Sequence, residues 1–276
     1  MTTSSYIERT RPGLGLRPLG LLLLTLVATA ALMALDLAVQ SFTFQVVQQT
    51  VVFLAVMAIQ LFGLQLGASR ARLGTAFSVA VALPLIVWLA VVWALAPARA
   101  FQSIVALPVG IFLPLVIGLL LLLRSQRVGQ WLDAFPASWL VGVQAYRIFG
   151  SVFLVGWLTG NLPGVFAVPA GAGDTLVGIL ALPVAALLAG RTSGARTAAI
   201  AWNVLGILDL LDAVALGFLS SPGPQQLIHT GLTGPNPLGA YPLVMIPAFA
   251  VPMSLLMHAL SLRQLRRATS WRNAQA

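Results

Sequence analysis

The sequence predicts an all-α polytopic integral membrane protein of about eight transmembrane helices, with both termini cytoplasmic. Three observations carry that expectation. Of 276 residues, 59% are apolar and only 8% are charged. Soluble domains hold about 45–50% apolar and about 25% charged residues. The apolar residues fall into eight runs of the roughly 20 residues that a membrane helix needs. The arginines gather in alternate loops between those runs. So little charge excludes a soluble single domain, a disordered chain and a secreted disulfide scaffold.

The runs are 18–39, 43–66, 74–96, 102–123, 138–160, 163–189, 197–219 and 241–262, read as one transmembrane domain over 1–276. The first has an Ala28-Thr29-Ala30 sequence resembling a cleavage site, but its apolar stretch from Leu19 to Leu35 exceeds the 7–15 residues of a signal-peptide core. It is read as a retained span. Gln45, Gln48, Gln49 and Gln60 in the second are read as hydrogen bonders between helices. Pro108 and Pro114 kink the fourth. Trp131 and Trp139 around Pro136 suit a headgroup-level segment before the fifth. Gly160-Asn161-Leu162-Pro163-Gly164 turns the chain into the sixth, where Pro169-Ala170-Gly171-Ala172-Gly173 is expected to break the helix just before Asp174. Pro242, Pro247 and Pro252 recur every five residues and should kink the last span repeatedly.

Positive charge resists translocation, so cytoplasmic loops collect arginine. Thirteen of the fifteen arginines, at 9, 11, 17, 70, 72, 124, 127, 191, 196, 263, 266, 267 and 272, fall on one side of an eight-span arrangement. Arg99 alone falls opposite, and Arg147 lies within a span. The long loop Ser221–Ala240, with Pro222, Pro224, Pro235, Pro237, Gly223, Gly231, Gly234 and Gly239, is then external, a lid or a tether. The formal charge is +9 with no lysine, yet the arginines are scattered, so no nucleic-acid-binding face forms. The absence of cysteine excludes disulfides, thiolate metal sites and thiol catalysis. An arginine-only, Ala- and Leu-rich composition fits a GC-rich bacterial genome.

A charge at mid-bilayer costs at least about 2.5–3.5 kcal/mol on insertion scales and calls for a partner or a role. At 1.5 Å per residue, Arg147 lies roughly 14 Å from the cytoplasmic side, Asp174 roughly 16 Å from the outer side and Asp209 roughly 18 Å from the cytoplasmic side. All three are near the midplane. Asp212 is one turn from Asp209, and two such carboxylates in low dielectric are not expected to ionise together. Gln144, Arg147 and Ser151 form an i, i+3, i+7 stripe, and Asn203 lies below the aspartates. Arg147 is expected to face Asp174 or Asp209, with Gln144 and Asn203 adding hydrogen bonds. Asp36 falls near the outer interface. His258, seventeen residues into the last span, is expected near the cytoplasmic interface, roughly 10 Å from the acids along the normal. That separation argues against a metal site, one membrane histidine with no cysteine argues against a bis-histidine haem, and no Gly-rich phosphate loop points to a nucleotide.

Gly171-Ala172-Gly173-Asp174 resembles the Gly-x-Gly-Asp motif of intramembrane aspartyl proteases. The resemblance implies Asp174 as one of a catalytic pair, with Asp209 as its partner. In those families the partner precedes the motif, whereas here Asp209 and Asp212 follow it. The stretch from Gln144-Ala145-Tyr146-Arg147 through Gly160-Asn161-Leu162-Pro163 to Asp174 is also similar to an uncharacterised family of bacterial multi-span membrane proteins, over about 135–190. That likeness implies a bacterial inner-membrane location.

The expected function is a small-molecule transporter or permease with a polar site at Gln144, Arg147, Asp174, Asn203, Asp209 and Asp212. Arg147 would be a counter-ion or anion contact, Asp174 and Asp209 protonatable coupling groups, and Asp212 a modulating neighbour. The alternatives are an intramembrane hydrolase using Asp174 with Asp209, and a structural subunit held by ion pairs. No cofactor, metal or nucleic acid is expected; the partners are membrane lipid and a small molecule or proton. A topology reporter fused within 221–240 is expected to read as external, and a cytoplasmic reading contradicts eight spans.

Overall fold

The computed structural model describes residues 18–230 and 236–267. Arg9, Arg11, Arg17, Gly231, Gly234, Pro235 and Arg272 lie outside the described residues. Among the described residues eight helices are long and apolar enough to cross a membrane: α1 (Pro18–Ala38), α2 (Phe42–Arg70), α3 (Thr75–Leu95), α4 (Ala106–Arg124), the composite Ala137–Leu158, α8 (Gly164–Ala189), α9 (Ala195–Ser220) and the composite Ile246–Arg267. A short helix α5 (Gln126–Ala134) lies between α4 and the first composite. The protein is an all-α polytopic membrane protein. Its surface is what lipid requires, with Leu23, Leu24 and Val27 on α1 and Val79, Leu83 and Val87 on α3 exposed. The arginine-rich ends converge: Arg196 Nε donates to Leu265 O at 3.1 Å, and Arg263 Nη2 to Ser125 O at 2.8 Å.

Two spans depart from α geometry, and they face each other. The first composite is α6 (Ala137–Gly142), a 3₁₀ stretch Val143–Gly150, and α7 (Ser151–Leu158). Within it Val141, Gln144, Arg147 and Gly150 are buried while the residues between are half-buried. A period of three is what 3₁₀ geometry produces, because i and i+3 eclipse. The second composite opens with a π turn, Ile246–Ala250, and continues as α10 (Val251–Arg267). Only Pro247 and Pro252 of the three expected kink sites lie in this span; Pro242 belongs to the turn before it.

The expected break before Asp174 is absent. Helix α8 runs unbroken from Gly164 to Ala189 through Pro169 and Gly171–Gly173. Lipid offers no partner for a freed backbone group, so the small residues serve close approach instead. A Cβ on Gly178 would collide with the backbone of Arg147 and Ile148. Two of the carbonyls released by proline are met by neighbouring side chains. Pro183 cannot donate to Ile179 O, and the Thr25 hydroxyl of α1 lies 3.0 Å from that oxygen. Pro252 likewise frees Ala248 O, which accepts from Trp88 Nε1 of α3 at 3.1 Å.

The last span is also displaced from its sequence-based limits of 241–262. It begins at Ile246 and runs to Arg267, so Arg263, Arg266 and Arg267 occupy its final turns. The Arg263 guanidinium reaches the helix-end carbonyls of α4 and that of Arg267 reaches Asp133 of α5, which lets helix continue where hydropathy ends. Trp131 is buried against α2, donating to Leu64 O at 3.0 Å and stacked on Phe135.

Gly178→Val is expected to destabilise the protein in detergent by about 1–3 kcal/mol or more, as overpacking does. Gly20→Ala, with nothing within 4 Å of its added Cβ, is expected to be nearly neutral. Thermal unfolding of both variants checks the pair.

Candidate functional site

The midplane is organised by one guanidinium group. Arg147, 2% exposed, is carried on the 3₁₀ stretch against α8. Its Nε donates to Asp174 Oδ1 at 2.6 Å, and Nη2 lies 2.6 Å from the same oxygen. Nη2 also donates to Asp209 Oδ2. Nη1 donates to Gly206 O at 3.4 Å and to His258 Nε2 at 3.0 Å. Three helices therefore meet on one side chain: α8 through Asp174, α9 through Asp209 and Gly206, and α10 through His258.

Two glycines make room for this convergence. A Cβ on Gly206 would strike the His258 ring and crowd Arg147 Nη1, and one on Gly173 would strike Asp209 Oδ1. The glycines of the Gly-x-Gly-Asp segment thus admit neighbouring chains to an intact helix.

Hydrogen-bond chemistry settles the histidine tautomer. Arginine only donates, so His258 Nε2 accepts and the ring proton sits on Nδ1. Nδ1 donates to Asn203 Oδ1 at 3.0 Å. Asn203 Nδ2 in turn donates to Ala199 O at 2.7 Å and Ser261 Oγ at 3.0 Å. His258 is fully buried and acts as a neutral link between Arg147 and Asn203. It lies in the cluster, and the expectation of an interfacial histidine is corrected: measured from Ile246, it is twelve residues into its span, roughly 18 Å deep.

The other expected residues separate. Gln144 Nε2 donates to Ser254 O at 3.2 Å, while its Oε1 and Ser151 Oγ are buried with no partner among the described residues. Tyr146 on the same stretch pairs its hydroxyl with Ser254 Oγ. Asp212 is exposed on α9, makes no hydrogen bond among the described residues, and does not join the cluster. Arg147 stands as counter-ion to Asp174 and Asp209, its guanidinium also engaged by His258 and Gly206. Among the described residues no group of three or more His, Cys, Asp or Glu could hold a metal ion.

Two cavities reach the cluster. A large one of ≈840 Å³ is a groove between α4 and α9, floored by Leu107, Ile111, Leu210, Val214 and Phe166 and edged by the exposed Val109, Phe112, Leu211 and Phe218. Gln102, Gln225 and Asn236 lie at its mouth, where Gln102 Nε2 donates to Asn236 O at 3.1 Å. Asp174 is the one charged side chain among the described residues lining it. The small one, ≈50 Å³, is bounded by Gln48, Gln49, Tyr146, Arg147, Asp174 and Ser254 among others. With Arg147 charged, His258 neutral and both carboxylates ionised, the cluster carries one net negative charge. A proton or a bound cation balances it.

The profile of a family described as a domain of unknown function, DUF8737, matches residues 104–266. The chain belongs to that family. The DUF8737 segment begins just before α4 and ends in α10, so it contains Gln144, Arg147, Asp174, Asn203, Asp209 and His258, together with both walls of the large cavity. α1, α2 and α3 lie outside it. No curated protein matches the chain, and no solved structure matches it.

Arg147→Met leaves two buried carboxylates without their counter-charge and is expected to cost about 3–5 kcal/mol. Adding Asp174→Asn and Asp209→Asn is expected to return at least half of that loss. Unfolding temperatures in one detergent check it.

Proposed function

We propose that this DUF8737 protein is a small-molecule transporter of the bacterial cytoplasmic membrane, with both termini inside and its site among the Arg147 cluster. The observation that carries this reading is the cavity of ≈840 Å³ that runs from the outer loops to Asp174. Membrane helices bury ionisable groups where these face a pathway or one another, and Asp174 does both. The walls are apolar and the inner end is a carboxylate. That combination suits a solute with an apolar body and a polar head.

The second requirement of a transporter is an element able to rearrange. A 3₁₀ stretch and a π turn lie opposite each other at the level of the cluster, and such irregular helix segments mark hinges and functional sites. Conversion of either to α geometry would rotate Arg147 or the wall of the cavity.

Hydrolysis by Asp174 and Asp209 is supported by their convergence on the same nitrogen of Arg147. An aspartyl pair, however, works by sharing one proton across a water. Here a guanidinium group stands between the two, holding both as acceptors, so transport is the better reading.

The test is flux into proteoliposomes of a panel of fluorescent small amphiphiles, cationic, neutral and anionic. At least one is expected to enter at least tenfold faster than into protein-free vesicles. Val214→Trp, which fills the cavity, is expected to bring that rate to near background. Equal leakage with and without protein for every probe contradicts transport.

A further inference from the structure

Asp174 lines both cavities, and no other charged side chain does so among the described residues. On the large side it meets apolar walls. On the small side it meets Gln48 and Gln49 of α2, and beyond Gln48 lies a second buried carboxylate. Gln48 Nε2 donates to Asp36 Oδ1 at 2.6 Å, and Asp36 is 8% exposed near the outer end of α1. Gln49 Oε1 is buried with no partner among the described residues. The cavity of ≈50 Å³, mostly apolar in its walls but carrying Gln48, Gln49, Tyr146, Arg147, Asp174 and Ser254, exceeds the roughly 10–15 Å³ that one water needs. Gln48 thus touches Asp36 and shares the small cavity with Asp174.

We propose that the transported solute is an amphiphilic monocation that displaces a proton from Asp174, and that this proton travels through the small cavity past Gln49 and Gln48 to Asp36. The proposal deepens the transporter reading and rests on it.

Charge decides the class of solute. The groups facing Asp174 are Arg147 and Tyr146 from the 3₁₀ stretch, Asp209 from α9, and His258 of α10 acting through Arg147. α2 brings only Gln48 and Gln49, α1 brings Asp36 beyond Gln48, and α7 brings no charge. Arg147 offsets one of the two carboxylates, and the other needs one positive charge. With the large cavity empty, a proton on Asp174 supplies it. When a monocation arrives, the O–H bond of Asp174 breaks, the proton leaves to water on the Gln49 side, and the carboxylate pairs with the cation. The charge of the site is unchanged throughout. An anion would instead meet a carboxylate and an arginine already engaged on Asp174, Asp209, His258 and Gly206. A neutral solute would leave the proton in place.

The experiment is probe binding to the purified full chain in weakly buffered detergent with a pH dye. The cationic probes are tetraphenylphosphonium, ethidium and octylamine; octanol and octanoate are the neutral and anionic counterparts. At least one cation is expected to bind with release of about one proton per cation. Its affinity is expected to rise by about tenfold per pH unit while Asp174 is protonated in the free protein. Asp174→Asn is expected to abolish release, and Asp36→Asn to slow it at least tenfold in stopped flow with the yield per cation retained. Should Asp174→Asn not fold, the proton yield of the unaltered chain decides. Cation binding without proton release overturns the exchange, and an unchanged rate in Asp36→Asn overturns the route. Binding of octanol or octanoate but of no cation overturns the solute class while leaving transport standing. If no probe binds and none is carried into proteoliposomes, the transporter reading fails with it.

Discussion

A guanidinium group at the middle of a membrane must have its donors met, and the centre of this protein is arranged to meet them. Arg147 draws Asp174, Asp209, the Gly206 carbonyl and His258 to one point. Each comes from a different helix or a different turn, so the arginine fixes the rotation of α8, α9 and α10 together. The neighbouring glycines follow from the same constraint. Gly178 lets the 3₁₀ backbone touch α8, Gly206 lets histidine and arginine touch α9, and Gly173 accommodates the Asp209 carboxylate. The hydrogen bonds continue from His258 through Asn203 to Ser261, toward the arginine-rich end of the bundle.

The fold class was legible in the sequence because lipid leaves so few options. Eight apolar runs of membrane length become helices, since nothing else satisfies the backbone there. The charged members of the cluster were legible for the same reason: Arg147, Asp174 and Asp209 stand out against an apolar background. His258 was not, and the cause is physical. Hydropathy ended the last span at 262, whereas Arg263 and Arg267 find partners on Ser125 and Asp133, more than a hundred residues away in sequence. Those contacts carry the helix five residues further and move His258 from the interface to the midplane.

Proline and glycine misled in a related way. In water, Pro169 to Gly173 would end a helix. In lipid the helix persists, and the irregular backbone appears where polar side chains cluster instead, at Val143–Gly150 and Ile246–Ala250. The 3₁₀ stretch did leave a trace, since Val141, Gln144, Arg147 and Gly150 are spaced by three. An α-helical template reads Gln144, Arg147 and Ser151 there and passes over it. Asp212 shows the converse limit: spacing along one helix places it near Asp209, but the turn of the helix leaves it exposed. The two cavities, built by α4 with α9 and by α2 with the 3₁₀ stretch, depend on packing between distant spans and carried no local signal.

The central claim is that the large cavity opens from the outer side down to Asp174. The chain contains no cysteine, so single thiols can be introduced without background. A membrane-impermeant cationic thiosulfonate, added outside intact cells, is predicted to label Val214→Cys, half-buried in the cavity wall, and to leave Val177→Cys, fully buried on α8, unlabelled. A Val214→Cys protein that is folded and unlabelled would contradict the account.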